Sequence, residues 1–473
     1  MENVKFTEFF QGGTVLTLNL NIKKTIILTM SEELVISFLF PPSDSATAIT
    51  VFKRIIENNE VVDVLQAKCM KDVNLELNQY IEEYIDDRII IDMDCDSDWA
   101  DCIFKFVKLG IDAIKKDYKR IYSRSWLMAN HFLAFEYKLS HSAAFWSAEF
   151  SDPLIYDLSN RPKKYKQMWV DDEDYINKIN GQINAFNQNN DTSFPLIENN
   201  ASAYFIAEYL VYLFADKVIF TNKNQHEIML RQFPADVYDL VLAKSEIKRH
   251  PTLESKYYHI KVSDLKLDEE FINIVYFGTD YYGKRHFEAL FYAFESLNHK
   301  YKDRIRFYFF INDKKLIKRL IYPLSVKGNI IVRKPIDYLS FLNATTKFDV
   351  LVVNDLVTKD NFEVNPYLPS KLSDYMGSSS DIWALCEVGS TLSAVDVKYK
   401  SDIHDFNGCG ETLVRILHDN GFIDEGYSFD EYCNRRLTFL NELYEQEFRK
   451  NLKLEKELKE LKKGKSHKRF KIF

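Results

Sequence analysis

The stretch from Leu34 to Ala67 reads LVISFLFPPSDSATAITVFKRIIENNEVVDVLQA, and it decides the fold. The apolar runs Leu34–Phe40 and Val61–Ala67 are typical of buried strands, and the segment from about Ala46 to Glu60 predicts a helix. A strand, a helix and a strand in this order predict two parallel strands joined by a crossover helix. The polar turn PPSDSATA follows the first strand, at the edge where ligands bind in open α/β sheets.

The same alternation of strands and helices continues through the chain and restarts after a charged, proline-containing segment. Because 473 residues exceed what one hydrophobic core holds, the length predicts two or three domains. The two series of alternating strands and helices indicate two doubly wound α/β domains. The predicted units are a first Rossmann-like domain over residues 1–235, a linker over 236–270, a second Rossmann-like domain over 271–415, and C-terminal helices with a basic tail over 416–473.

Composition narrows the class of protein. Hydrophobic residues make up 46% of the chain and aromatic residues 15%, which indicates a globular protein. The formal net charge of -8 gives no reason to expect nucleic-acid binding. The six cysteines include no C-x-x-C pair, so we expect a reduced compartment without a disulfide framework or a zinc site. With neither a signal peptide nor a membrane span expected, the predicted location is cytoplasmic.

A second informative stretch covers residues 363–393 and reads EVNPYLPSKLSDYMGSSSDIWALCEVGSTLS. A turn at Ser370 and Lys371 leads into a short predicted helix that carries Asp374 and ends near Gly377. The helix N-terminus and the lysine suit the phosphates of a nucleotide diphosphate, and the aspartate can accept hydrogen bonds from ribose hydroxyls. An ordinary turn, helix and strand is the alternative interpretation.

Gly278 and Thr279 follow a predicted strand in the second half, and Lys284 and Arg285 come shortly after them. The glycine lets a ligand approach the backbone, and the two cations can neutralise a diphosphate leaving group. A pair of solvated surface cations on a turn is the alternative.

Candidate residues in the first half lie near strand ends. Glu149 and Asp152 can position an acceptor hydroxyl or act as a base, although turn formation around the following proline is an equal alternative. Ser43 and Ser45 can contact a substrate or cap the next helix. His131 is a weaker acceptor-side candidate, because a lone histidine is more often structural.

Four aspartates alternate in IDMDCDSD, residues 91–98. An EF-hand loop here would need glycine at Ser97 and glutamate at Ile103, and the chain has neither. We interpret the segment as a polar loop in which Asp98 caps the next helix, with a D-x-D metal site for a nucleotide sugar as the alternative.

Two further segments are polar or charged. Residues 160–200 are polar and rich in asparagine, which predicts a surface insertion. Residues 449–473 hold eleven Lys and Arg against three Glu, with leucines on one predicted helix face. Such a helix can lie on an anionic membrane surface, pair with a second copy as a coiled coil, or remain solvated.

Several of these segments resemble GT-B glycosyltransferases of the group-1, family-four type. PSKLSDYMG (369–377) looks like the donor-domain element P-x-K-L-x-E-Y-x-x-x-G of that family. VYFGTDYYGKR (275–285) is similar to its strand and Gly-Thr turn followed by a basic residue. FWSAEFSDP (145–153) resembles the acceptor-domain segment W-x-x-(D/E)-F-x-D-P, and ADKVIFTN (215–222) the strand that closes the first domain.

The resemblance implies two Rossmann-like domains that face each other across a cleft. It also implies retaining, metal-independent sugar transfer from a nucleotide sugar, with a UDP-sugar expected, in which the donor phosphate takes the acceptor proton. The predicted acceptor is a glycan of a cell-surface polysaccharide, a teichoic acid or a lipid-linked saccharide at the inner face of the membrane. A non-catalytic GT-B-like subunit and a nucleotide-sugar epimerase are the alternatives. The predicted site comprises Gly278, Thr279, Ser370, Lys371, Leu372 and Asp374 for the donor, Glu149, Asp152, Lys284 and Arg285 for catalysis, and Ser43, Ser45 and His131 on the acceptor side, with no metal ligand and no cofactor.

The chain departs from the family pattern at three points. The first glutamate of the family motif falls at Pro366, so sugar recognition must differ there. Asp374 replaces the ribose-binding glutamate and shortens its reach by one methylene. The turn PPSDSATA lacks the paired glycines that are common in the family.

Overall fold

The computed structural model describes residues 31–68, 73–93, 100–163, 165–279, 284–312, 314–424 and 428–433, and positions 446, 449, 450, 453 and 454. Most of the basic tail and residues 94–98 of the aspartate-rich loop therefore lie outside the described residues. None of the described helices is long and apolar enough to cross a membrane.

The first half forms a parallel sheet of seven strands in the order β3-β2-β1-β4-β5-β6-β7. The chain order reverses between β1 and β4, as in a doubly wound fold. The strands are β1 (Glu33–Ile36), β2 (Val62–Ala67), β3 (Ile85–Ile91), β4 (Arg120–Arg124), β5 (Phe145–Phe150), β6 (Lys217–Phe220) and β7 (Ser245–Ile247). The helices are α1 (Ala46–Asn58), α2 (Ala100–Ala113), α3 (Ala129–Ser140), α4 (Glu173–Asn190), α5 (Ala203–Phe214), α6 (Lys223–Leu230) and α7 (Ala235–Leu242).

The second half forms a parallel sheet of six strands in the order β10-β9-β8-β11-β12-β13, with its reversal between β8 and β11. The strands are β8 (Ile272–Phe277), β9 (Ile305–Phe310), β10 (Ile330–Arg333), β11 (Val350–Asn354), β12 (Asp381–Cys386) and β13 (Tyr399–Asp402). The helices are α8 (Glu288–Ser296), α9 (His299–Lys302), α10 (Lys314–Ile321), α11 (Tyr338–Thr345), α12 (Lys371–Met376) and α13 (Phe406–Asp419). Two doubly wound sheets confirm the predicted fold class.

One hydrophobic cluster is continuous across both domains. It joins Phe52 of α1 to Val275 of β8 and Leu351 of β11 through Tyr257 and Tyr258, which lie between the two sheets. The ring of Phe52 meets the ring of Tyr257 edge to face, with centroids 6.4 Å apart. Burying these aromatic surfaces holds the first-domain helix α1 against the second domain.

Two segments differ from the sequence-based expectation. The polar stretch 160–200 contains α4, which buries Ile176, Ile179 and Ile183 on one face. Strand β7 lies inside the predicted linker and pairs with β6. The sequence does not predict this strand, because three residues are too few to show a strand pattern. Cys102 is disulfide-bonded, whereas the sequence predicts reduced cysteines without a disulfide framework, because spacing along the chain does not show which cysteines meet in space.

Candidate functional site

A cavity of about 400 Å³ lies at the carboxyl ends of the second sheet. Gly278 after β8 and Asn354 at the end of β11 both line it, so it occupies the point where the strand order reverses. Open α/β sheets bind their ligands at this position. The opposite wall comes from the first domain, where Asp44 and the α1 residues Thr50 and Lys53 face the cavity.

The first turn of α1 determines which side chains of this helix line the cavity. The Ser45 side chain accepts a hydrogen bond from the Ala48 backbone N–H at 3.2 Å, which fixes the first turn. Ala46, Ile49, Thr50 and Lys53, three or four residues apart on one face, then line the cavity.

Lys53 and Asp374 form a buried ion pair between the two domains. Lys53 Nζ lies 2.8 Å from Asp374 Oδ1 and donates to Ser373 Oγ at 2.7 Å. The Tyr338 hydroxyl donates to the same Asp374 Oδ1 at 2.8 Å. Lys53 is 2% exposed and Asp374 6% exposed, so both charges depend on these partners.

The second domain supplies two further cations to the cavity wall. Lys371 precedes Asp374 by one turn, and its ammonium lies 5.0 Å from the centre of the Phe341 ring. Burial lowers the pKa of Lys371. The loop that carries Arg285 is held against the end of β11, because the Val357 N–H donates to the Lys284 carbonyl at 2.9 Å.

The turn after β8 leaves little space for a side chain at Gly278. A Cβ atom at Gly278 would lie 2.5 Å from the Tyr276 hydroxyl oxygen, which is closer than real Cβ contacts. That hydroxyl donates to the Thr279 carbonyl at 2.9 Å and so fixes the turn beneath the cavity. The sequence predicts a ligand close to the backbone of Gly278, and Gly278 lines the cavity; the nearby tyrosine is a second constraint on this position.

The structure brings together part of the predicted site. Leu372 packs in the hydrophobic cluster shared by the domains, and the Lys284 side chain does not line the cavity. Six of the predicted residues line the cavity, namely Gly278, Thr279, Arg285, Ser370, Lys371 and Asp374.

Glu149 lies inside the first domain, away from the cavity lining. Its carboxylate accepts hydrogen bonds from Arg54 Nε at 3.0 Å, Arg124 Nε at 3.1 Å and the Tyr122 hydroxyl at 2.8 Å. Burial alone would raise the pKa of Glu149, but the two guanidinium groups lower it to about 2. These three partners are buried side chains, and through them Glu149 holds α1, β4 and β5 together.

The other first-domain candidates also lie outside the cavity lining. Burial raises the pKa of the Asp152 carboxyl, which follows β5. Ser43 donates to Ser45, the residue that caps α1. His131 is fully buried, its Nδ1 lies 2.8 Å from the Ser123 hydroxyl, and burial lowers its pKa to about 3.

The residues that the sequence interpretation missed are Lys53, Asp44 and Tyr338. A signal for Lys53 exists, because Lys53 and Arg54 interrupt an otherwise apolar segment of α1. In the described part of the chain, no three His, Cys, Asp or Glu side chains cluster to hold a metal ion.

The loop that carries Asp152 depends on a buried carboxylate in α5. Glu208 Oε1 accepts from the backbone N–H groups of Leu154 at 2.8 Å and Ile155 at 3.1 Å, and Oε2 accepts from the Tyr212 hydroxyl at 3.3 Å. Burial nevertheless raises the pKa of Glu208 from 4.5 to about 7.

This pKa predicts a pH dependence of stability. A carboxyl whose pKa is raised on folding stabilises the protein below pH 4.5, and this contribution is lost as the pH rises through 7. The difference amounts to about 3 kcal/mol in the free energy of unfolding. We expect Glu208→Gln, which keeps the acceptor oxygen, to remove most of this change between pH 5 and pH 8.

Urea unfolding at the two pH values measures the effect. The matched control is Glu227→Gln on α6, whose carboxylate is 58% exposed. An unchanged pH dependence in Glu208→Gln would contradict the prediction.

Several solved structures are similar to this chain. A sucrose-phosphate synthase from Thermosynechococcus elongatus is similar with a TM-score of 0.50 and 12% identity, over 89% of this chain and 99% of that chain. HepE from Anabaena in complex with UDP-glucose gives a TM-score of 0.48 and 8% identity, over 88% and 99% of the two chains. A trehalose-6-phosphate structure from E. coli bound with UDP-2-fluoro glucose gives a TM-score of 0.48 and 10% identity, over 88% of this chain and 96% of that chain.

No protein-family model matches the sequence, and no curated protein matches it in sequence. The likeness to the sucrose-phosphate synthase shows the fold, and this fold is the GT-B fold that the sequence predicts.

Proposed function

We propose that the chain is a glycosyltransferase that takes its sugar from a nucleoside diphosphate sugar bound in the cavity between the two domains. The observation that carries this proposal is the convergence of Lys53, Arg285, Lys371 and Asp374 around the cavity. Its volume of about 400 Å³ fits one small-molecule ligand.

The cavity walls suit the parts of such a donor. Pro335, Ile336 and Phe310 present an apolar surface on which a base can pack. Arg285 and Lys371 supply positive charge for the diphosphate, and Asp374 offers a carboxylate for ribose hydroxyls.

The proposed reaction is transfer with retention and without a metal ion. The acceptor hydroxyl oxygen bonds to the anomeric carbon, while the bond from that carbon to the phosphate oxygen breaks and its electrons leave with the diphosphate. The acceptor proton goes to the leaving phosphate oxygen. Arg285 and Lys371 stabilise the negative charge that develops on the diphosphate, so the protein supplies no nucleophile in this scheme.

The acceptor is part of the same proposal. A glycan of a cell-surface polysaccharide, a teichoic acid or a lipid-linked saccharide would bring the protein to the inner face of the membrane. The support is the basic composition of residues 449–473, which suits an anionic membrane surface or self-association.

The test is a thermal-shift screen of UDP, GDP, CDP and ADP in the presence of EDTA. A ligand at about 100 times its dissociation constant should add about 2.7 kcal/mol to the stability of the wild type. We expect one nucleotide to stabilise the wild type and to stabilise Asp374→Asn much less. The matched control is Asp381→Asn, a surface carboxylate at the start of β12 that pairs with Lys398.

A screen in which no nucleotide stabilises the wild type would overturn the proposal. With the selected nucleotide sugar, release of the nucleotide that depends on an added acceptor would indicate transfer. An epimerised nucleotide sugar without an acceptor would instead indicate the epimerase.

A non-catalytic GT-B-like subunit is the second candidate. The observation that favours it is the engagement of Asp374 Oδ1 by Lys53 and Tyr338, combined with Pro366 where the family has its first glutamate. Such a subunit would neither hydrolyse nor transfer the sugar of any donor, and would copurify with a partner glycosyltransferase.

A further inference from the structure

Lys53 is a first-domain residue placed in the proposed donor site of the second domain. It is the one cationic side chain that the first domain contributes to the described cavity lining. Its helix is anchored from both sides, by the Ser45 cap at its start and by the packing of Phe52 on Tyr257. The position of Lys53 at the cavity wall is therefore fixed by the fold.

The hydrogen bonds of the ammonium show what it can still bind. A lysine ammonium has three N–H donors. Two of them go to Ser373 Oγ and Asp374 Oδ1, and no third acceptor is present among the described residues. Because Lys53 lines the cavity, the third donor is available to a ligand bound there.

The charges of the cavity lining favour an anionic ligand. Among the described lining residues, Lys53, Arg285 and Lys371 are cationic, and Asp44 and Asp374 are acidic. In a buried site a hydrogen bond between an ammonium and a phosphate is strong, because both groups are charged and water is largely excluded.

We propose that Lys53 binds the diphosphate of the donor through its third N–H while it remains paired with Asp374. This inference rests on the proposed function and adds a phosphate ligand from the first domain. The diphosphate would then be held from both domains, by Lys53 on one side and by Arg285 and Lys371 on the other. Donor binding would consequently depend on the contact between α1 and α12.

The test compares a ligand that carries the diphosphate with one that lacks it. UDP affinity is measured by isothermal titration and uridine affinity by displacement of UDP, for wild type and for Lys53→Met. Loss of a hydrogen bond to a charged group should weaken UDP binding about tenfold or more. Uridine binding should weaken by a smaller factor, because uridine is affected only through Asp374, so the ratio of UDP affinity to uridine affinity falls.

Three further variants keep the result interpretable. Lys53→Arg retains a cation, and we expect it to restore part of the ratio. Tyr338→Phe removes a hydrogen bond to Asp374 without a change of charge, so it should shift UDP and uridine binding together. The double variant Lys53→Met with Asp374→Asn removes both buried charges. It replaces Lys53→Met in the affinity measurements if Lys53→Met alone does not fold.

Each outcome decides a different question. An unchanged ratio of UDP to uridine affinity in folded Lys53 variants would overturn this inference and leave the proposed function in place. If the wild type binds neither UDP nor any other nucleoside diphosphate of the screen, the proposed function fails, and this inference fails with it.

Discussion

Replacing Glu149 with alanine is expected to lower the free energy of unfolding by about 3–5 kcal/mol, because the change leaves two buried guanidinium groups without their shared carboxylate. Arg54 Nε and Arg124 Nε each donate to this carboxylate, which is 0% exposed. The Tyr122 hydroxyl loses its acceptor as well. Urea unfolding at pH 7, followed by circular dichroism, measures the loss.

The chain offers a matched control on the same arginine. Glu57 accepts from Arg54 Nη1 at 2.7 Å, but its carboxylate is 38% exposed. An ion pair with one exposed partner contributes little, so Glu57→Ala should cost about 1 kcal/mol or less. Equal losses in the two variants would contradict the assignment of Glu149 to the buried network.

The same network has a defined response to acid. The pKa of Glu149 is lowered to about 2 in the folded protein, so its contribution to the free energy of unfolding is complete above pH 4.5 and is lost as the pH falls toward 2.

If Glu149 has only this structural role, Glu149→Gln should retain the response to nucleotides seen in the wild type.

The two sheets could be predicted because their strands carry a strong local signal. Residues 274–277 and 350–353 are continuous apolar runs, as expected for parallel strands that are covered on both faces. Strand β7 has only three residues, so its pairing with β6 depends on tertiary structure. The sequence does not predict helix α4, because many asparagines surround the three isoleucines that form its buried face.

The site could be predicted only where neighbouring residues act together. Ser370, Lys371 and Asp374 lie within one helical turn, and their grouping is visible in the sequence. Lys53 pairs with Asp374 across a separation of 321 residues, which no local pattern shows. Glu149 does lie at a strand end as predicted, but its partner Arg54 is 95 residues away, and this contact buries the side chain.

Replacing Asp374 with alanine is expected to destabilise the protein by about 3–5 kcal/mol before any effect on ligand binding is considered. The substitution leaves the Lys53 ammonium 2% exposed without its counter-charge, and Tyr338 without its acceptor. Asp374→Asn also removes the counter-charge, but it keeps an acceptor oxygen for Lys53 and Tyr338, so the screen uses this milder substitution to probe nucleotide binding.

A double-mutant cycle separates the ion pair from the other contacts of Asp374. Lys53→Met removes the buried ammonium, so Asp374→Ala should cost less in that background than in the wild type. We expect the two losses to be non-additive by about 2–3 kcal/mol, as for residues in direct contact. Urea unfolding of the four proteins gives this coupling energy. Lys53 belongs to α1 of the first domain and Asp374 to α12 of the second. The coupling energy therefore also measures how strongly this ion pair joins the two domains at the proposed donor site. Additive losses would show that the ion pair does not join them.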